Sequence, residues 1–311
     1  MKSPASRSVP TLQDPPSTDP APTVSIVICT CNRPDDLRNC LEAISRLDPG
    51  PGEVLVVDNT PGDPGTKSAA IRFGARYIVE PAPGLSRARN RGLAESHSEF
   101  VAFLDDDAVP DVRWLDRLLE PFADPEVASV TGETRFAESA STQGAEKPTR
   151  YLSNKNRLWF EMANFGGLGY GTNMALRKAV CNGWTVFDER LGRGTPLWTA
   201  EESHAFATLV ERGYRAAHVP AAVVIHPLKT RDIEREASTA FAYWLLLFFE
   251  FPGHRLDLLR FLLRRLRRER LPWPREPQEP GEIINSGWRT QLNAVFAGAL
   301  LYLRYRKPRV R

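Results

Sequence analysis

The chain has 311 residues, 42% hydrophobic and 25% charged, with a net charge of +3, a globular composition that allows one large α/β core with an appendage or two modest domains. Four cysteines, at 29, 31, 40 and 181, are too few and too unevenly placed for a disulfide scaffold, which points to reduced thiols. Residues 231–311 hold 16 Lys/Arg against 9 Asp/Glu, a net of +7 that leaves −4 for the rest; a basic segment with long apolar stretches favours an anionic lipid surface, and no nucleic-acid module is present.

Residues 1–22 carry six prolines among Ser, Thr and Asp, too little apolar surface to offset the entropy of ordering, so a disordered tail is expected. They contain no apolar signal core, so a cytoplasmic setting is expected. From Thr23 the β-branched run Val24–Cys29 reads as a strand ending in the polar turn Thr30-Cys31-Asn32-Arg33-Pro34, which opens a helix with Leu37, Leu41, Ile44 and Leu47 at helical spacing. Cys29 and Cys31 have no second Cys or His cluster beside them and read as buried thiols rather than a zinc site. Strands over Glu53–Val57, ending at Asp58-Asn59, and over Ala75–Val79 complete a strand-helix-strand rhythm that means a parallel sheet. In such sheets ligands bind at the carboxyl ends of the strands.

Gly84–Ser96 reads as a helix with Arg87, Arg89, Asn90 and Arg91 in its early turns, which are either a solvated basic face or partners for an anion near the helix start. The run Phe100–Leu104 is a buried strand followed at once by Asp105, Asp106 and Asp107. Three carboxylates there repel one another unless a cation sits among them, and oxygen ligands suit Mg²⁺ or Mn²⁺, ions that usually share their coordination with substrate phosphates. The plainer reading is an acidic turn capping a helix that begins near Pro110.

Residues 133–160 are polar and poorly periodic and predict a mobile loop. Gly166–Gly171 lacks a preceding buried strand and reads as a tight turn letting the backbone approach a ligand or another strand. A loop over Phe187–Gly194 leads to Thr199-Ala200-Glu201-Glu202, which opens a helix ending at Gly213, and Ala216–Ile225 forms a last strand terminating at His226.

Taken together, these motifs resemble a family 2 glycosyltransferase of the GT-A fold over roughly residues 23–230. They are Val24–Thr30 with Asn32-Arg33-Pro34; Val56–Asn59; Gly84–Leu93; Phe103–Asp107; Gly171–Arg177; Phe187–Gly192; and Glu201-Glu202 followed by Gly213-Tyr214-Arg215. The resemblance implies a mostly parallel central sheet flanked by helices, and inverting transfer from a nucleotide-diphosphate sugar. By it, Asp58 holds the base, and Thr30, Asn32 and Arg33 line the same pocket, with Arg87 and Arg89 toward the donor. Asp105 and Asp106 serve donor binding. Asp107, with Asp105 and His226, holds a divalent cation, Mg²⁺ or Mn²⁺, that neutralises the leaving diphosphate. Lys229 and Arg231 would close over it. The base that accepts the acceptor's proton comes from the Glu201-Glu202 pair. Here the family pattern has Asp second; the extra methylene of Glu202 moves the carboxylate by about 1.5 Å, and an uncompensated displacement of that order costs about a hundredfold in rate. Trp198 stands where relatives have a small residue, and either stacks on the acceptor or packs in the core.

Residues 231–311 form a separate, helical region. The apolar stretch 239–251 is shorter than the ~20 residues that span a bilayer. Leu256, Leu259, Leu262, Leu263 and Leu266 take one side of a helix and Arg260, Arg264, Arg267 and Arg268 the other, the pattern of an interfacial helix on anionic lipid, or of one that covers the core or a second subunit. Peripheral attachment to the inner membrane face would suit a lipid-linked saccharide acceptor. The competing reading is a catalytically silent, sugar-nucleotide-binding scaffold, motivated by Glu202. Sugar, acceptor and oligomeric state are not encoded legibly.

Overall fold

A computed structural model of the chain describes residues 23–137, 147–165, 167–228, 232–267 and 288–305. The Pro-rich segment 1–22, Lys229, Arg231 and Arg268 lie outside the described residues. Four strands, β1 (Val24–Thr30), β2 (Glu53–Asp58), β3 (Arg76–Val79) and β4 (Phe100–Asp105), run parallel in the order β3-β2-β1-β4. The crossovers are the helices α1 (Pro34–Ile44), α2 (Pro64–Arg72) and α3 (Leu85–Glu95). Helices cover both faces, so β1 and β4 are buried along nearly their whole length, which is why they appear in the sequence as unbroken apolar runs. Register sets Thr30 beside Asp58 and Cys29 beside Asp105. The polar ends of three strands are thereby level at one edge.

The sheet continues as a mixed half. In chain order come β5 (Val109–Pro110), α4 (Trp114–Leu119), β6 (Val127–Phe136), β7 (Arg150–Leu152), α5 (Trp159–Phe165), β8 (Asn173–Arg177), α6 (Glu201–Glu211) and β9 (Arg215–His226). The order is β4-β8-β6-β9-β5, with β7 also on β9; β8 is antiparallel to its neighbours and β6 is parallel to β9. Three expectations are corrected. Residues 133–160 are not one loop: the end of β6, β7 and the start of α5 fall within them. The helix expected near Pro110 begins at Trp114, because Val109 and Pro110 pair with β9. Cys31 is exposed rather than buried, since β1 ends at Thr30 and the next residue enters the turn.

One irregularity aims the last strand. Gly132 pairs with Val219 but Glu133 pairs with Val223, so β9 bulges outward by three residues. A Cβ on Gly132 would collide with the Ala222 carbonyl. The amide groups freed by the bulge are taken up by Asn173, which is fully buried: its Nδ2 donates to the carbonyls of Glu133 and Ala222, both at 2.9 Å, and its Oδ1 accepts from Trp114 Nε1 at 2.8 Å. Beyond the bulge β9 runs on to His226 at the acidic edge.

The C-terminal region is α7 (Ile233–Glu250), α8 (Arg255–Leu266) and α9 (Trp288–Tyr305). None of the described helices is long and apolar enough to cross a membrane. Helix α7 lies on the sheet domain. Its Tyr243, Leu246 and Leu247 pack with Phe160, Leu191 and Leu197, Tyr243 Oη donates to Asn164 Oδ1 at 2.5 Å, and Glu250 takes a bidentate pair from Arg190 at 2.7 and 2.9 Å. Helix α8 docks through Leu258, through Phe261 stacked on Phe165 at 4.1 Å, and through Arg264 paired with the buried Glu161. Arg264 therefore faces inward, not toward lipid or solvent, because residues 258, 261 and 264 recur at spacing three on one face. Leu256, Leu259, Leu262 and Leu263 are exposed.

Replacing Asn173 by Ala removes three buried hydrogen bonds and strands two carbonyls. Urea unfolding is expected to show a loss of about 2–4 kcal/mol, and a loss under 1 kcal/mol would contradict the bulge's dependence on this side chain.

Candidate active site

The acidic turn after β4 is gripped from three directions. From the turn before α1, Arg33 reaches Asp106 at 2.7 Å with one nitrogen and Asp107 at 2.7 Å with another. Asn32, in the left-handed region at φ 54°, sets the direction of that turn, a conformation Asn tolerates. Thr30 Oγ1 donates to Asp106 at 2.7 Å. Asp106 is wholly buried, and burial pushes its carboxyl up to about 6 against the pull of Arg33 and Thr30. It braces the turn, beside a partly exposed Asp105 and an Asp107 held by Arg33 and His226.

From β9, His226 Nε2 lies 3.0 Å from Asp107 and 3.5 Å from Asp105, with Nδ1 2.8 Å from the Pro227 carbonyl. That last contact makes Nδ1 the donor and aims Nε2 at the carboxylates. Burial alone would lower the imidazole; the two carboxylates outweigh it and raise it to about 9. Ligand atoms of Asp105, Asp107 and His226 all lie within 4.8 Å of one another. Two carboxylates and an imidazole fit a divalent cation that accepts mixed oxygen and nitrogen ligands.

From α3, Arg89 enters the interior. It is 3% exposed, donates to Glu201 at 2.8 Å and lies 3.7 Å from Asp105. It thus joins the acidic turn to the first residue of α6. Gly171 permits this, since a Cβ there would lie 2.5 Å from the guanidinium. Gly169, at φ 129°, brings the same loop onto Thr131 of β6, so this glycine turn approaches another strand. Burial raises the Glu201 carboxyl, and Glu202 beside it adds to the rise; Arg89 draws it down.

The loop from Phe187 to Ala200 is held by the same helix. Ser86 Oγ donates to the Leu191 carbonyl at 2.8 Å, and Asn90 clasps Phe187 with two bonds of 2.8 and 3.0 Å. Asp188 and Arg190 pair within it. Ala200, at φ 71°, turns the chain into α6. Glu202 sits on the first turn of α6, partly exposed, and makes no hydrogen bond or ion pair with a described residue. Trp198, also partly exposed, carries the Arg235 guanidinium of α7 over its ring at 3.6 Å. Asp58 is buried, accepting from Thr60 N at 3.0 Å and Tyr77 Oη at 2.7 Å. Arg87 pairs with Glu189 at 3.0 Å on the surface.

Thr30, Arg33, Asp58, Arg89, Asp105, Asp106, Asp107, Glu201 and His226 therefore converge on one edge of the sheet. Arg87 is engaged by its surface pair with Glu189. Sequence reasoning treated the α3 arginines alike. A finer signal was available: positions 87 and 91 share a helix face, whereas 89 lies on the opposite face with Ser86 and Leu93, at the spacing of a buried stripe.

The description Glycosyl transferase family 2 matches residues 25–184, just over half of the chain. Glycosyltransferase AglE of Haloferax volcanii is 29% identical over 221 residues, covering 68% of this chain and 69% of that protein. The pre-mycofactocin glycosyltransferase of Mycobacterium tuberculosis is 29% identical over 234 residues, and the match spans 73% of this chain but 47% of that protein. Among solved structures, mannosyltransferase PcManGT from Pyrobaculum calidifontis in complex with GDP-Man and Mn²⁺ superposes with a TM-score of 0.55 at 19% identity, over 92% of this chain and 88% of that one. At that identity the likeness is one of fold. The chain belongs to glycosyl transferase family 2, with the GT-A fold, and its sheet domain is a glycosyltransferase domain.

Arg89→Met leaves the buried Glu201 without its cation and takes one from the partly exposed Asp105, and a loss of about 3–5 kcal/mol is expected in chemical denaturation. Adding Glu201→Gln should restore at least about 1 kcal/mol; strictly additive losses would show that Arg89 and Glu201 do not act as a pair.

Proposed function

We propose that the protein transfers a sugar, with inversion, from a nucleotide-diphosphate sugar to a lipid-linked saccharide acceptor, and that it does so at an anionic membrane surface. The observation that carries the proposal is the convergence of Asp105, Asp107 and His226 beside Asp58 and below the start of α6. A uridine or thymidine base suits the buried Asp58, with Thr30, Asn32 and Arg33 along the same wall. Asp105, Asp107 and His226 would hold Mn²⁺ or Mg²⁺, and the mixed donor set suits Mn²⁺. When bound, such a cation neutralises the charge that gathers on the leaving nucleoside diphosphate.

The chain's own groups do the rest. Arg33 and Thr30 keep Asp106 in place, which fixes the direction of Asp105 and Asp107. Arg89 ties Asp105 to Glu201, so the donor edge and the start of α6 keep one spacing. Glu202 is the group we assign as base. Glu201 is committed to Arg89, whereas Glu202 is partly exposed on the same turn and free to accept a proton from the acceptor hydroxyl. Trp198, four residues before it, is partly exposed with one ring face under Arg235, which leaves the other for an acceptor. The amphipathic α8, with Leu256, Leu259, Leu262 and Leu263 exposed, supports the membrane surface.

Glu202→Gln should retain the rise in unfolding temperature given by UDP-, dTDP- or GDP-sugar with Mn²⁺, while kcat falls by two to four orders of magnitude. Undiminished turnover would remove Glu202 from the role of base. A wild-type protein that binds donor yet never releases nucleoside diphosphate, with acceptor or water, would support the silent scaffold instead.

A further inference from the structure

Between α7 and α9 lies a cleft of about 560 Å³, within the range of small-ligand sites. The two helices touch backbone to backbone at Gly298, where a Cβ would lie 2.5 Å from the Ser238 carbonyl. The cleft opens along the same pair of helices, and its lining divides by chemistry. Ala297, Leu300 and Leu301 of α9 supply apolar wall, while Arg235 of α7 and Arg304 of α9 supply two positive charges against one carboxylate, that of Asp232, among the described lining residues. Asp232 is already engaged as the cap of α7, accepting from the Arg235 backbone N–H at 3.0 Å. The guanidinium of Arg235 lies over Trp198 and that of Arg304 over Tyr305. Both are exposed, so an anion can reach them.

The apolar wall continues outward. Leu300 is 68% exposed, Phe296 69% and Leu303 55%, an unusual density of bare apolar surface on one helix. A ligand that satisfies the whole cleft has a doubly charged anionic head and a hydrocarbon chain. Neither an inorganic anion nor a sugar meets both conditions. Placement adds a third observation: Arg235 rests on Trp198, four residues before Glu202 in the chain, which links the charged end of the cleft to the segment that leads into α6.

We propose that the α7–α9 cleft binds the lipid end of the acceptor, a saccharide joined through a phosphate or diphosphate to a single hydrocarbon chain, with the anionic linkage on Arg235 and Arg304 and the chain over Leu301, Leu300 and Phe296. This rests on the transferase reading above and names the chemistry of its acceptor.

The test is calorimetric titration of farnesyl phosphate, below its micelle concentration, into the full-length protein. Saturable binding is expected, with each of Arg235→Gln and Arg304→Gln weakening it about tenfold, the loss of one charge-assisted contact. Farnesol and inorganic pyrophosphate should each bind far more weakly. Pyrophosphate binding as tightly as the lipid would overturn the proposal in favour of a free-anion site. Binding only to phosphatidylglycerol vesicles would overturn it in favour of a general membrane surface. Arginine variants with wild-type unfolding temperature and wild-type affinity for farnesyl phosphate would also overturn it. A donor-dependent thermal shift measured on the same protein keeps the two readings apart. If donor binds and farnesyl phosphate does not, the transferase stands and the cleft proposal falls; if only farnesyl phosphate binds, the cleft loses its role as acceptor site.

Discussion

Three consecutive carboxylates at the end of one buried strand are the constraint around which the sheet domain is arranged. Two like charges about 4 Å apart repel by roughly 4 kcal/mol at the effective dielectric of a protein surface. Arg33, Arg89 and His226 answer that repulsion, and each comes from a different element: the turn before α1, the inner face of α3 and the end of β9. Placing these three groups requires the β1–β2–β4 register, the Asn32 turn and the β9 bulge. The middle carboxylate, Asp106, is given up to Thr30 and Arg33. Its neighbours, Asp105 and Asp107, lie with His226 within 4.8 Å of one another.

The same network sets the spacing between the acidic turn and the start of α6. Arg89 lies between the donor edge and α6, and α3 also holds the loop that delivers Trp198 and Glu202, through Ser86 and Asn90. A glutamate in place of aspartate at position 202 reaches about one bond length further, and the loop before it is anchored in turn to α7 through Arg190 and Glu250. The C-terminal helices are therefore tied to the position of the proposed base as well as to the proposed acceptor cleft.

Much of the parallel half was legible in the sequence, because β1, β2 and β4 are buried on both faces and register as continuous apolar runs. The mixed half was less so. β6 passes through Thr131-Gly132-Glu133-Thr134-Arg135, where the bulge replaces apolar packing by hydrogen bonds from Asn173, and a periodicity reading sees a loop. Asp105, Asp107 and His226 could be placed at or just beyond strand ends from the sequence, because β4 and β9 stop there. Helix spacing separates Arg87 from Arg89, but the inward turn of Arg264 toward Glu161 does not show in the sequence, since charge on a helix is read as solvated by default. The cleft beside Arg235 and Arg304 depends on how α7 and α9 meet, which no local pattern encodes.

The central claim is that the clamped acidic turn is a divalent-cation site serving a nucleoside diphosphate. It is tested most directly by titrating Mn²⁺ into the full chain, wild type beside Asp107→Asn, with and without UDP, and following free Mn²⁺ by electron paramagnetic resonance. The account predicts one Mn²⁺ per chain that binds more tightly with UDP present, and loss of that binding in Asp107→Asn. Equal Mn²⁺ binding by both proteins, indifferent to UDP, would contradict it.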